Sequence, residues 1–103
     1  MPDRTRLNDT QIREGLKSLP GWSLDQETLR RSYRFPDFTR AWAFMTGGAI
    51  HAQAMNHHPN WSNVYDSVEI SLSTHDAGGV TALDLELARR FEALAQRLLP
   101  ADT

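Results

Sequence analysis

Four prolines cut this chain into segments, and the hydrophobic period changes across the cuts. Proline has no N–H and its ring clashes with the preceding helical turn, so no helix or central strand runs through Pro20, Pro36, Pro59 or Pro100. Each segment must therefore find its own secondary structure, and its apolar spacing says which. Before Pro20, Ile12, Leu16 and Leu19 recur at helical spacing. Asn8 is placed to cap that helix, Gln11 completes a capping box, and Leu7 with Ile12 has the spacing of a hydrophobic staple. The helix is expected to reach about Leu19 and to stop at Pro20-Gly21.

From Trp22 to Phe35 the period is two. Leu29, Arg31, Tyr33 and Phe35 fall on one side and Arg30, Ser32 and Arg34 on the other, which predicts two antiparallel strands turning near Asp25 to Glu27. After Pro36, Asp37 is a good N-cap, and Phe38, Ala41, Trp42, Met45, Ala49, Ala52 and Met55 return every three or four residues. This is the central helix. Each of Gly47 and Gly48 costs it about 1 kcal/mol relative to alanine. Either another element or a second subunit approaches closely there, or the helix is weak or kinked at that point. Beyond Pro59 the period is two again, over Trp61–Tyr65 and over Val68, Ile70 and Leu72, with Asp66-Ser67 between them as the expected turn of a hairpin. Asp76 to Val80 is a glycine-bearing loop. Thr81 and Asp84 then open a last helix whose face carries Leu83, Leu87, Phe91, Leu94 and Leu98. The order αββαββα predicts a single α+β domain over residues 1–103, a four-stranded antiparallel sheet with three helices packed on one face.

Composition narrows the function. At 103 residues with 40% apolar content the core is thin, and subunit association is an expected supplement. The absence of cysteine removes disulfides, thiolate metal sites and a cysteine nucleophile. Lys+Arg number 11 against 13 Asp+Glu, a net charge of -2, with no basic patch of the kind that displaces counterions from phosphates. The densest basic stretch, Arg30, Arg31 and Arg34, reads as the exposed face of a strand. No run of about 18 apolar residues would span a membrane, and the first ten residues hold no apolar signal core, so a cytoplasmic protein is expected.

The chemistry then falls to histidine. Three of four, His51, His57 and His58, lie within eight positions, and His75 follows a predicted strand. A two-residue turn at Asp66-Ser67 would set Tyr65 opposite Val68, Trp61 opposite Leu72 and His58 opposite His75. That register also puts Trp61, Tyr65, Val68, Ile70 and Leu72 on one apolar face, which makes Trp61 and Tyr65 core residues. Imidazole exchanges protons near neutrality, so such a cluster suits general acid–base work. A metal site is the competing reading, but His57, His58 and His75 offer only nitrogen, with Asp76 or Asp84 as an uncertain oxygen, and adjacent histidines in an extended chain face opposite ways. Structural hydrogen bonding by terminal and loop histidines is the third. Asp84 carries two readings as well, as the third residue of a Thr81-capped helix and as a site carboxylate.

Asn56-His57-His58-Pro59-Asn60-Trp61, Asn63-Val64-Tyr65, Leu72-Ser73-Thr74-His75, Gly79-Val80-Thr81 and Asp84 resemble, in type and spacing, the signature of the pterin-4a-carbinolamine dehydratase family. Leu19-Pro20-Gly21-Trp22 and the run from Phe38 to Met45 extend the likeness upstream, from residue 7 to about residue 95. The resemblance implies the αββαββα fold and a hydro-lyase that removes water from 4a-hydroxytetrahydropterin to give quinonoid dihydropterin, recycling the cofactor of aromatic amino-acid hydroxylases. It implies His57, His58 and His75 as catalytic residues, with His57 and His75 the acid–base pair and His58 holding and orienting the pterin, and substrate contacts from His58, Asp84 and Gln53. It calls for no metal and no cofactor, since the pterin is the substrate. The partners it implies are further copies of the chain, as homodimer or homotetramer, with no direct nucleic acid and no membrane. Animal members also serve as dimerisation cofactors of a homeodomain transcription factor, so a binding or regulatory module is the alternative. One position departs from the pattern: four residues before His57, where an ionisable residue is usual, stands Gln53. On a helix it would stack against His57 and hydrogen-bond it without bringing charge. His51 is outside the signature and reads as a surface residue.

Overall fold

Asn8 caps the first helix as its spacing with Gln11 requires: its side chain accepts from the Gln11 amide, and the Gln11 side chain accepts from the Asn8 amide. In this computed structural model, which describes residues 4–100, that helix is α1 (Asp9–Leu16). It ends a turn earlier than Leu19, which is nonetheless buried. The elements that follow are β1 (Ser23–Asp25), β2 (Thr28–Arg34), α2 (Phe38–Met55), β3 (Asn60–Val64), β4 (Ser67–Leu72) and α3 (Ala82–Leu98). They make an α+β fold with a four-stranded antiparallel sheet in the order β1-β2-β4-β3. One face of the sheet is covered by the three helices. The other shows Arg30, Ser32, Arg34, Glu69, Asn60 and Ser62 to solvent.

Alternation explains which face is which. Leu29 pairs with Leu72, Tyr33 with Val68 and Trp61 with Ile70, and these residues point at the helices. Arg31 does not join Arg30 and Arg34 on the exposed face but lies on the helix side, half-buried, where its guanidinium carbon sits 4.1 Å above the Tyr33 ring. Trp22 Nε1 donates to the Tyr33 hydroxyl at 3.2 Å and to Glu92 Oε1 at 3.3 Å, and the Tyr33 hydroxyl donates to Glu92, tying the sheet to α3. Burial first, and the Glu92 carboxylate second, push the Tyr33 phenol well above its ordinary range, so it stays protonated and keeps donating.

The central helix corrects one expectation. Its buried stripe is Ala41, Phe44, Gly48, Ala52 and Met55, whereas Phe38 and Trp42 are 46% and 48% exposed and Ala49 faces out. Apolar residues surround this helix, so spacing alone did not select the inward side. The helix runs unbroken through Gly47 and Gly48. A Cβ on Gly48 would sit 2.9 Å from Phe91 Cε1 and 3.2 Å from Trp61 Cζ3, and one on Gly47 would sit 2.7 Å from Leu94 Cδ2. The close approach therefore comes from α3 and β3 of the same chain, and the notch is not a surface for a second subunit.

The hairpin corrects another. Its turn is Tyr65-Asp66, one residue earlier than expected, with Val64 opposite Ser67, Asn63 opposite Val68 and Trp61 opposite Ile70. The pairing is shifted by two residues, so each side chain that stays in the ladder keeps its face. Asn63 supports the turn by donating to the Tyr65 carbonyl at 3.0 Å and to the Ser67 carbonyl at 2.9 Å. Tyr65 takes a left-handed conformation, φ 52°, and is 64% exposed. It leaves the apolar face and is no part of the core. Trp61 does pack inward, stacked on Phe91 at 5.7 Å between ring centroids.

Candidate active site

The end of α2 decides where the two adjacent histidines go. Asn56 adopts the left-handed conformation, φ 50° and ψ 44°, which asparagine tolerates better than most residues. Its amide donates to the Gln53 carbonyl at 3.1 Å, and the His57 amide reaches back to the Ala52 carbonyl at 3.0 Å. These are the two bonds of a Schellman ending. The residue after the left-handed position in such an ending turns toward the protein, and here that residue is His57, 7% exposed. His58 is thrown outward and folds back over the last turn.

At the start of α3 a carboxylate is waiting. Thr81 caps the helix, its hydroxyl accepting from the Leu83 amide at 3.2 Å, and Asp84 closes the capping box with Oδ2 accepting from the Thr81 amide at 2.9 Å. The same Oδ2 accepts from the Thr74 hydroxyl at 2.9 Å, and the Thr74 and Thr81 hydroxyls are 2.8 Å apart. Asp84 Oδ1 receives His57 Nε2 at 2.5 Å. Asp84 is fully buried with both oxygens taken by His57, Thr74 and Thr81, so it caps α3 and holds His57. With Nε2 committed, Nδ1 is the ring nitrogen left for a reacting group. Among the described residues the one side-chain nitrogen or oxygen both buried and unpartnered is Arg31 Nε, so His57 Nδ1 is not sealed inside.

Gln53 does not serve His57. Its Oε1 accepts from His58 Nε2 at 2.9 Å, because the left-handed turn at Asn56 takes His57 off the α2 cylinder and leaves His58 over Gln53. Nor does His58 face His75. The β3–β4 ladder begins at Asn60 opposite Ser71, and both histidines lie beyond it. His75 instead begins a single 3-10 turn, His75–Ala77, exposed and immediately after Thr74. Asp84 thus ties His57 to Thr74, the residue preceding His75, a link the hairpin register did not foresee. His51 is half-buried and forms no part of this arrangement.

Thr74 and Asn56 build the site although the sequence reading gave neither a role of its own, and Thr81 was read there only as the cap of the last helix. A signal existed for Thr74: continuing the alternation past Leu72 puts Ser73 out and Thr74 in, and a buried threonine needs a partner. Among the described residues no group of three or more His, Cys, Asp or Glu is placed to share a metal ion, since His57 and Asp84 spend their facing atoms on each other.

A profile of the family described as Pterin 4 alpha carbinolamine dehydratase matches residues 5–94. The chain belongs to this family. Relatives within the dehydratase family include a protein of Solibacter usitatus, 47% identical over 91 residues, covering 88% of this chain and 96% of its own. Another, from Opitutus terrae, is 50% identical over 92 residues, covering 88% and 95%. Both are provisionally named pterin-4-alpha-carbinolamine dehydratase. A crystal structure from Brucella melitensis, described as a transcriptional coactivator/pterin dehydratase, superposes with a TM-score of 0.86 at 40% identity, covering 88% of this chain and 99% of that one. The dehydratase fold and the His57–Asp84 contact are thus read on a chain whose kinship spans nearly its whole length.

Proposed function

We propose that this chain is a hydro-lyase that removes water from 4a-hydroxytetrahydropterin to yield quinonoid dihydropterin, returning the pterin used by aromatic amino-acid hydroxylases. The observation that carries the reading is the buried His57–Asp84 contact with Thr74 linking it to His75. In the elimination the C4a–O bond breaks, N5 loses its proton and the C4a–N5 double bond forms. One imidazole protonates the departing hydroxyl while the other takes the N5 proton, so the two exchange protonation states and water leaves. His57 and His75 are the pair, and either could start as the acid. Asp84 acts through His57 as a positioning residue, fixing the tautomer and the ring plane as a carboxylate does behind a catalytic histidine. His58, its Nε2 held by Gln53, offers Nδ1 to the pterin at the exposed side. The proton transfers need no metal and no further cofactor. The test is the decay of 4a-hydroxytetrahydropterin formed in situ: the chain accelerates it above the uncatalysed rate, and His75→Ala loses at least about tenfold while keeping its circular dichroism. A wild-type rate equal to the uncatalysed one overturns the reading.

The same chain is proposed to work as an oligomer of identical subunits in the cytoplasm. Among the described residues no helix is long and apolar enough to cross a membrane. The outward face of α2 presents Phe38, Trp42, Ala49 and Ile50, and its single charge, Arg40, is paired with Asp37 at 2.6 Å. Trp42 and Ile50 stand equally far on either side of Thr46, so two antiparallel copies would set one against the other around a two-fold axis. In sedimentation velocity Trp42→Glu lowers the subunit number of the wild type. A wild type that sediments as a monomer removes this proposal and leaves the face to a protein of another kind, the reading in which the chain is a binding module.

A further inference from the structure

We propose that residues 4–7 form a clasp that holds the loop bearing His75, with Arg6 as its positioning residue. The inference rests on the dehydratase reading, in which His75 is half of the acid–base pair. His75 has little of its own to hold it. It opens a one-turn helix on the surface, ended by Gly78 in the left-handed region at φ 74°, and a Cβ at Gly78 would meet nothing within 4 Å. The base of the loop is closed by a lone bridge, in which the Thr74 amide donates to the Gly79 carbonyl at 2.8 Å and the Gly79 amide returns a longer bond of 3.4 Å. Loops with so few contacts open locally at low cost.

The N-terminal arm meets this loop at three successive points. The Leu7 amide donates to the Val80 carbonyl at 2.8 Å. The Arg6 side chain lies across Gly79, close enough that a Cβ there would be 2.8 Å from Arg6 Nε and 3.4 Å from its Cδ. Gly79 is buried directly after the exposed Gly78, and Arg6 is part of its cover. Arg4 Nη1 is 3.7 Å from Asp76 Oδ1, an exposed pair that adds little. Arg6 in turn is anchored, because its Nη2 donates to Glu27 Oε1 at 2.5 Å in the β1–β2 turn. The arm therefore spans from the hairpin turn to the loop, and the aliphatic stem of Arg6 presses on Gly79 between two fixed ends. A Cβ at Gly79 would push Arg6 off this position.

Hydrogen–deuterium exchange and steady-state kinetics on the full chain test the clasp together. In Arg6→Ala, exchange in peptides covering residues 75–80 quickens by about tenfold while peptides of α2 and β4 are unchanged. Displacing a catalytic group slightly costs rate rather than binding, so kcat falls about tenfold and the KM for the hydrated pterin stays within about twofold. Arg6→Lys keeps the stem and recovers most of both, whereas Gly79→Ala reproduces the loss. Wild-type exchange of the loop in Arg6→Ala overturns the clasp, and so does faster exchange throughout the molecule, which would make Arg6 merely structural. A loosened loop with unchanged kcat overturns the positioning role. Should the wild type show no dehydratase activity, the exchange data still decide the clasp, so the two readings fail separately.

Discussion

His57→Ala lowers kcat for pterin dehydration by about 10²–10⁴-fold while the chain stays folded. The backbone bond from residue 57 to the Ala52 carbonyl survives in the variant, so α2 keeps its ending. What disappears is the ring that Asp84 orients at 2.5 Å, and with it one partner of a fully buried carboxylate. Leaving Oδ1 without that donor costs about 1–3 kcal/mol, softened by the Thr81 amide and Thr74 hydroxyl that still hold Oδ2. Asp84→Asn is the sharper companion, since it preserves shape but replaces an acceptor-only group by an amide that cannot take protons from His57, Thr74 and Thr81 alike. It is expected to lose rate comparably through the tautomer of an intact histidine. Stopped-flow rates beside a urea melt separate the effects, and a His57→Ala enzyme within threefold of wild type would remove histidine catalysis from the account.

Phe91→Ala destabilises the domain by about 3–5 kcal/mol. The ring is fully buried, stacks on Trp61 at an interplanar angle of 11°, meets Phe44 edge-on at 5.7 Å, and is the surface on which Gly48 rests. No neighbour can slide into the space, because the helix backbone at Gly48 and the indole of Trp61 are themselves fixed. A domain of this size has about 5–15 kcal/mol in total, so the loss consumes much of its stability. At about 4–8 °C per kcal/mol the melting temperature falls by about 12–40 °C, read by differential scanning calorimetry. A fall of only a few degrees would mean that α2, α3 and β3 do not share one rigid core.

Much of the fold was legible because its signals are local. Asn8 with Gln11, Asp37 ahead of α2 and Thr81 with Asp84 each announce a helix start within four residues, and the structure uses all three. Faces were harder where no contrast existed: α2 is apolar all round, so the inward choice of Phe44 and Gly48 depends on what α3 brings to them. The hairpin turn was misplaced because Asp66-Ser67 has better turn chemistry than Tyr65-Asp66, and nothing in a tyrosine announces a positive φ. The shift was even, so the faces came out right within the strands, and only Tyr65, taken into the turn, lost its expected place in the core. At the site, the candidates His57, His58 and His75 could be named but not joined. Asp84 lies 27 residues from His57 on another element, and Gln53 changed partners because of the backbone of Asn56, a residue that motif reading treats as a letter in a string.

Asp84 closes the first turn of α3 with the same side chain that holds His57. Inheritance of the His57–Asp84 geometry is thereby insured by folding. A descendant that abandoned the pterin would still be held to the carboxylate, and to the threonines around it, by the need to start its last helix. The ring's socket would outlast its use, so a relative could keep the socket long after its trade had changed and regain the chemistry by restoring a single imidazole.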